Sequence, residues 1–142
     1  MTNAPPPETK AVFWYRYDDC RFAAPLDEFD APIGRGRVGI NLSHYQLLRE
    51  TPKGVWVLLN YSFGFIDPAA DPEWVRAKIK AGLARFILHT ANRRFACATR
   101  EEAKASFIAR KKRQAGIYSA RLRDAKEALA LGYAIDTTKE DL

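Results

Sequence analysis

The sequence is poor in the side chains from which most metal and redox sites are built. Among 142 residues there are two cysteines, Cys20 and Cys97, and two histidines, His44 and His89. None lies near another in the chain, whereas zinc sites usually pair their ligands at short spacing. Both histidines fall in strand-like runs and read as half-buried structural residues, so no metal or other cofactor is expected. Two separate thiols outside any Cys-x-x-Cys pair fit a reducing compartment. Long apolar runs are also missing, and nothing approaches the roughly 18–20 residues of a spanning helix. The first ten residues lack a basic segment followed by an apolar one, so no signal peptide is expected. The expected location is the cytoplasm, with no membrane partner.

Catalytic signatures are equally scarce. The chain has no nucleophile elbow, no P-loop and no His-x-x-x-His pair. Gly34-Arg35-Gly36-Arg37-Val38-Gly39 matches Gly-x-Gly-x-x-Gly. A dinucleotide site needs that run after a strand and at the start of a helix, whose amides meet the pyrophosphate. Here it follows Ala31-Pro32 and leads into a strand-like run. One catalytic alternative stays open. The acids between Asp18 and Asp30 fall in a predicted loop, where they could hold a divalent ion for phosphodiester chemistry, as in a metal-dependent nuclease. The expectation is nonetheless a protein that is not an enzyme.

What is present is the makeup of a folded domain. The chain is 47% hydrophobic, 28% charged and 12% aromatic, ordinary globular usage. A chain of this length buries about two thirds of its unfolded surface without disulfide or metal staples. Residues 1–10, with Pro5-Pro6-Pro7, read as a disordered tail, residues 11–133 as one domain and residues 134–142 as a flexible tail.

The pattern predicts an α+β fold with an antiparallel sheet of about four or five strands. Ala11–Tyr17 reads as a strand with Phe13, Tyr15 and Tyr17 on one face and Val12, Trp14 and Arg16 on the other. Residues 18–37 read as a long loop. Val38–Arg49 and Gly54–Tyr61 flank Thr51-Pro52-Lys53-Gly54 and predict a hairpin. Phe63–Ala70 reads as loop. Asp71-Pro72-Glu73 supplies a cap, a first-turn proline and a first-turn acid for a short helix from Pro72 to about Ala81, with Gly82 as its stop. Arg85–Thr90 and Arg93–Ala98 flank Ala91-Asn92 and predict a second hairpin. Thr99-Arg100-Glu101-Glu102 is a capping box that opens a long helix, expected to end at Leu131 before Gly132. The aromatics Phe13, Tyr15, Tyr17, Trp56, Tyr61, Phe63 and Phe65 read as core and cross-strand pairs rather than as a base-stacking platform.

From Arg85 to Gly132 the residues run RFILHTANRRFACATREEAKASFIARKKRQAGIYSARLRDAKEALALG. This stretch resembles a widespread group of small uncharacterised phage and prophage proteins. The likeness rests on Phe95-Ala96, on Thr99-Arg100-Glu101-Glu102-Ala103, and on Arg110-Lys111-Lys112-Arg113-Gln114. The earlier WYRY and TPKGVWV runs are also typical of that group. Cys97-Ala98 and Ala115-Gly116 depart from its pattern. The resemblance covers about a third of the chain and its motifs are a cap and a helix. It implies a phage or prophage origin and an accessory role. Small phage accessory proteins often block host defence or redirect host machinery by binding, and by that analogy this one would act in the bacterial cytoplasm.

The long helix carries the sharpest functional signal. Net charge is +6 overall. Residues 93–142 hold twelve basic and seven acidic groups, so most of the excess lies there. Between Lys104 and Arg123 stand seven basic residues and no acid: Lys104, Arg110, Lys111, Lys112, Arg113, Arg121 and Arg123. Surface helices normally mix both signs, and such a run repels itself unless an anion relieves it. The anions considered are phosphates, an acidic protein surface, and the chain's own Asp18, Asp19, Asp27, Glu28 and Asp30. A plainly solvated face is the bland alternative.

The expected partner is an acidic macromolecule, either nucleic acid or a nucleic-acid-handling host complex. Arg110, Lys112, Arg113, Arg121 and Arg123 would carry the contact. Arg35 and Arg37 are secondary candidates, because arginines on an extended loop can enter a narrow minor groove. The same helix has an apolar seam, Ile108, Ala115, Tyr118, Leu122 and Leu129, at heptad spacing. Packing of that seam on the sheet is the favoured expectation, and a homodimer or other oligomerising module the alternative. A helix of about 33 residues would be about 50 Å long, more than the sheet can cover, so part is expected to overhang.

Overall fold

The computed structural model describes residues 12–59 and 67–139. The expected tail over residues 1–10, the end of the third strand run, the aromatics Tyr61, Phe63 and Phe65, and residues 140–142 lie outside the described residues. The described residues form an α+β fold in two units that divide within the last helix, after Phe107.

The first unit is built on a four-stranded antiparallel sheet. Its strands are β1 (Phe13–Arg21), β2 (Val38–Glu50), β3 (Gly54–Leu58) and β4 (Ala84–Leu88), in the order β1-β2-β3-β4. β1 pairs with β2 from Phe13 opposite Gln46 to Arg21 opposite Val38. The strand therefore continues through Asp18, Asp19, Cys20 and Arg21, which the sequence predicts as loop. Asp is a poor strand former, but the backbone ladder to β2 outweighs that preference. Arg16 reinforces it, its Nε donating to the Asp18 carboxylate at 2.8 Å.

Residues 22–37 are pinned at several points. Phe22 N donates to the Arg37 carbonyl at 2.9 Å. Asp27 accepts from the amides of Phe29 and Ala31, each at 2.9 Å. The next turn closes through Thr51, whose hydroxyl donates to the Gly54 carbonyl at 2.9 Å. β2 pairs with β3 across a register shift between Leu47 and Arg49, a bulge that leaves Leu48 buried.

Helix α1 spans Pro72–Lys80, capped by Asp71, whose carboxylate accepts from Trp74 N at 3.0 Å. Gly82 follows with φ +75°, the left-handed stop expected from the sequence. α1 lies beside β4 and buries Val75.

The second predicted hairpin does not form. β4 pairs with β3, from Gly54 opposite Leu88 to Leu58 opposite Ala84. Arg93–Ala98 is not a strand beside it but joins the far edge of the sheet. There Tyr15 N donates to the Cys97 carbonyl at 2.7 Å and Cys97 N to the Tyr15 carbonyl at 2.9 Å. The reason is burial. The crossing sets Ala96 into the core with Trp14, Val55, Val57 and Ile87, and packs Phe95 against that cluster. Trp14 and Tyr15 face opposite ways as the alternation predicts, Trp14 into the core and Tyr15 against His44, with ring centroids 5.5 Å apart.

Helix α2 spans Arg100–Tyr133. Thr99 caps it, its hydroxyl accepting from Glu102 N at 3.2 Å. The reciprocal half of the capping box is not made. The Glu102 carboxylate stands 3.9 Å from Arg94 instead, drawn by the guanidinium. Gly132 is not the stop that the sequence predicts, since the helix runs one residue past it to Tyr133. A helical glycine costs about 1 kcal/mol relative to alanine, which weakens a helix without ending it. Beyond the helix, Asp136 accepts from the hydroxyl of Thr138 at 2.6 Å and from its amide at 3.0 Å, and both bonds hold its carboxyl below the usual range.

Candidate functional site

The candidate site lies on α2 beyond Phe107, wholly within the second unit. Its backbone is an uninterrupted helix because Ala, Leu, Lys, Arg and Glu dominate, all strong helix formers. At about 100° per residue the seam residues Ile108, Ala115, Tyr118, Leu122 and Leu129 form one stripe. Within its own unit that stripe is exposed, Tyr118 at 56%, Leu122 at 57% and Leu129 at 56%. What packs in the core is the start of the helix, where Ala103 is 2% exposed. From Ile108 onward the helix carries exposed apolar side chains that no other described residue of its own unit covers.

The basic residues surround this stripe. Lys112, Arg113, Arg121 and Arg123 are exposed. Among the described residues none of these four has an acid within ion-pair distance. Arg110 is half-buried, and Lys111 donates to the Gln114 side chain at 2.8 Å. Lys112 and Arg123 flank the stripe on one side and Arg110 and Arg121 on the other, while Arg113 points away from it. The acids that close the run, Asp124 and Glu127, also fall on the side away from the stripe. The charges therefore ring an apolar strip rather than forming a second strip of their own. No family model, curated protein or solved structure matches the chain.

Arg35 and Arg37 belong to the first unit and the helix residues to the second. Their loop is not an extended arm. The Arg37 guanidinium lies 4.8 Å from the Phe22 ring centroid, and Arg21 donates to the Gly36 carbonyl at 2.8 Å. A Cβ on Gly36 would collide with the Phe22 carbonyl oxygen, so the glycine permits this close approach. Arg35 is exposed.

The other candidates are held in structural contacts. His44 is packed edge-on by Phe13 and Tyr15. His89 Nε2 lies 3.1 Å from the Thr51 carbonyl. Both cysteines are free thiols, Cys97 buried and Cys20 half-buried. Asp18 and Asp19 stand on β1 instead of in the predicted acidic loop. Among the described residues no three His, Cys, Asp or Glu side chains come together as a cation site. No helix among them is long and apolar enough to cross a membrane.

One cluster escapes a reading of the sequence. Arg16 and Arg85 both set their guanidinium carbons against the Phe95 ring, at 4.8 and 4.3 Å from its centroid. Arg16 also donates to the Phe95 carbonyl at 2.8 Å. The three residues come from two strands and the crossing segment, and no local pattern links them. Their contacts fix the segment against the sheet, which is a structural role.

Proposed function

We propose that this is a non-enzymatic binding protein of the phage or prophage accessory type, which engages an acidic macromolecule through α2. Its likeness to small phage proteins favours an anti-defence role, with a nucleic acid or a nucleic-acid-handling host complex as the target. The observation that carries the reading is the exposure of Lys112, Arg113, Arg121 and Arg123 with no acidic partner among the described residues. Lys112 and Arg113 stand about 12 Å or more along the helix from Arg121 and Arg123, beyond the Debye length of about 8 Å at physiological ionic strength, so salt screens most of the repulsion between the two pairs and what remains acts within each pair. An anionic surface relieves that repulsion and speeds encounter. Charge reversal at Arg113 and Arg121 should abolish binding to the acidic target while the circular dichroism spectrum stays that of the parent. Binding that survives the reversal removes the helix from the function.

A second reading, self-association through the seam, draws on the exposure of Ile108, Tyr118, Leu122 and Leu129. Light scattering decides it, because a monomer at high concentration is incompatible with an oligomerising module.

A further inference from the structure

We infer that the partner of α2 is a protein helix with an apolar seam and acidic flanks. This rests on the reading that α2 engages an acidic partner, and it names the kind. Two features of one face must be satisfied together. The first is the stripe from Ile108 to Leu129, three heptads or about 30 Å of helix, exposed along its length. The second is the charge beside it.

In heptad terms Ile108, Ala115, Leu122 and Leu129 occupy one core position, and Tyr118 and Ala125 the other. Lys112 and Lys126 then fall on one flank and Arg121 on the opposite flank. Every charged residue on those flanks is basic. The acids of the same stretch, Asp124 and Glu127, occupy outward positions, away from anything that docks on the seam.

A second copy of the chain fits this face badly. Paired in parallel, Arg121 of one copy would meet Lys126 of the other across the interface. Paired antiparallel, lysine flank would meet lysine flank. Phosphates fit half of it: they would satisfy the cations and leave Leu122 and Leu129 in water. A helix bearing leucine-like residues along its seam and Asp or Glu on both flanks satisfies the stripe and the charges at once. The small Ala115 and Ala125 would receive its larger side chains. Recognition of an amphipathic helix by anchors at heptad-like spacing is a recurrent mode, with flanking charges setting partner choice.

The test uses the full chain and a synthetic helical peptide of four heptads with Leu at the core positions and Glu on both flanks. A peptide with Lys on the flanks, a DNA duplex and a single-stranded DNA serve as comparisons, all read by fluorescence anisotropy. The acidic peptide should bind and the lysine peptide should not. Leu122→Ser with Leu129→Ser should weaken acidic-peptide binding by at least about tenfold, as expected for exposed anchors that are not needed for folding. Arg121→Glu with Lys126→Glu should abolish it and create binding to the lysine peptide. No binding of the acidic peptide at low salt overturns the inference. So does a stable dimer of the parent chain that the serine pair dissolves. If DNA binds instead, is lost on charge reversal and is indifferent to the serine pair, the partner is a nucleic acid: the basic-helix function stands and the helical partner falls. If charge reversal changes nothing for any probe, both fall.

Discussion

Tyr15 and Cys97 exchange both of their backbone hydrogen bonds, at 2.7 and 2.9 Å, across the outer edge of β1. That single bridge fixes where the chain goes after β4. It carries Phe95 and Ala96 over the sheet and sets the direction in which α2 begins two residues after Ala98. Ala96, at 1% exposure, has no room beside Trp14, Val55, Val57 and Ile87. Ala96→Leu should therefore destabilise the fold by about 1–3 kcal/mol through overpacking. Urea unfolding followed by tryptophan fluorescence measures this, since Trp14 reports on the same core. A midpoint unchanged from the parent would mean that the crossing segment does not close the core.

Phe95 between Arg16 and Arg85 invites a double-mutant cycle. Arg85 is exposed, so its attraction to the ring is expected at about 0.5–1 kcal/mol. Arg85→Gln should cost that amount in the parent and close to nothing in a Phe95→Leu background. Equal costs in both backgrounds would show that Arg85 acts elsewhere.

These contacts mark where the sequence stops being informative. Asp71, Gly82 and Thr99 are legible because a cap or a stop is made by neighbours a few residues away. The β1–β2–β3 meander is legible for a similar reason, since its strands alternate and its Thr51–Gly54 turn has local chemistry. Arg93–Ala98 is not legible. Its sequence suits a hairpin with β4, and its actual partner, Tyr15, lies near the other end of the unit. Asp18 and Asp19 mislead in the same way, because the ladder that holds them as strand is supplied by Ile40 and Asn41. The α2 stripe could be read as a seam from its spacing. Whether the sheet covers it depends on tertiary structure, which spacing does not encode. The basic residues were legible as a run. Their arrangement around the stripe follows from helix geometry, and that Lys112, Arg113, Arg121 and Arg123 have no acidic partner among the described residues emerges only in three dimensions.

Gly116 sits in the middle of α2, and a Cβ added there meets nothing within 4 Å. Gly116→Ala should stabilise the helix by about 1 kcal/mol, the usual cost of a glycine in a helix interior. Thermal melting followed at 222 nm, a standard helical band, reads the effect. A lower melting temperature would mean that this position is packed by something the chain alone does not provide.

The salt dependence of binding separates the kinds of acidic partner. If Lys112, Arg113, Arg121 and Arg123 all neutralise phosphates on duplex DNA, four contacts give a slope of log affinity against log salt of about −3.6. Replacing Arg113 by Ala should then make the slope shallower by about 0.9. An acid-flanked protein helix behaves differently. It releases no condensed counterions, and part of its affinity comes from apolar burial that salt does not weaken. Arg113 points away from the seam, so its loss should leave affinity for such a helix little changed, while Arg121 remains essential. Isotherms for the parent, Arg113→Ala and Arg121→Ala at several salt concentrations decide between them. A slope that drops equally for both variants points to a phosphate backbone wrapped around the helix. A slope that responds to Arg121 alone points to a partner seated on the stripe.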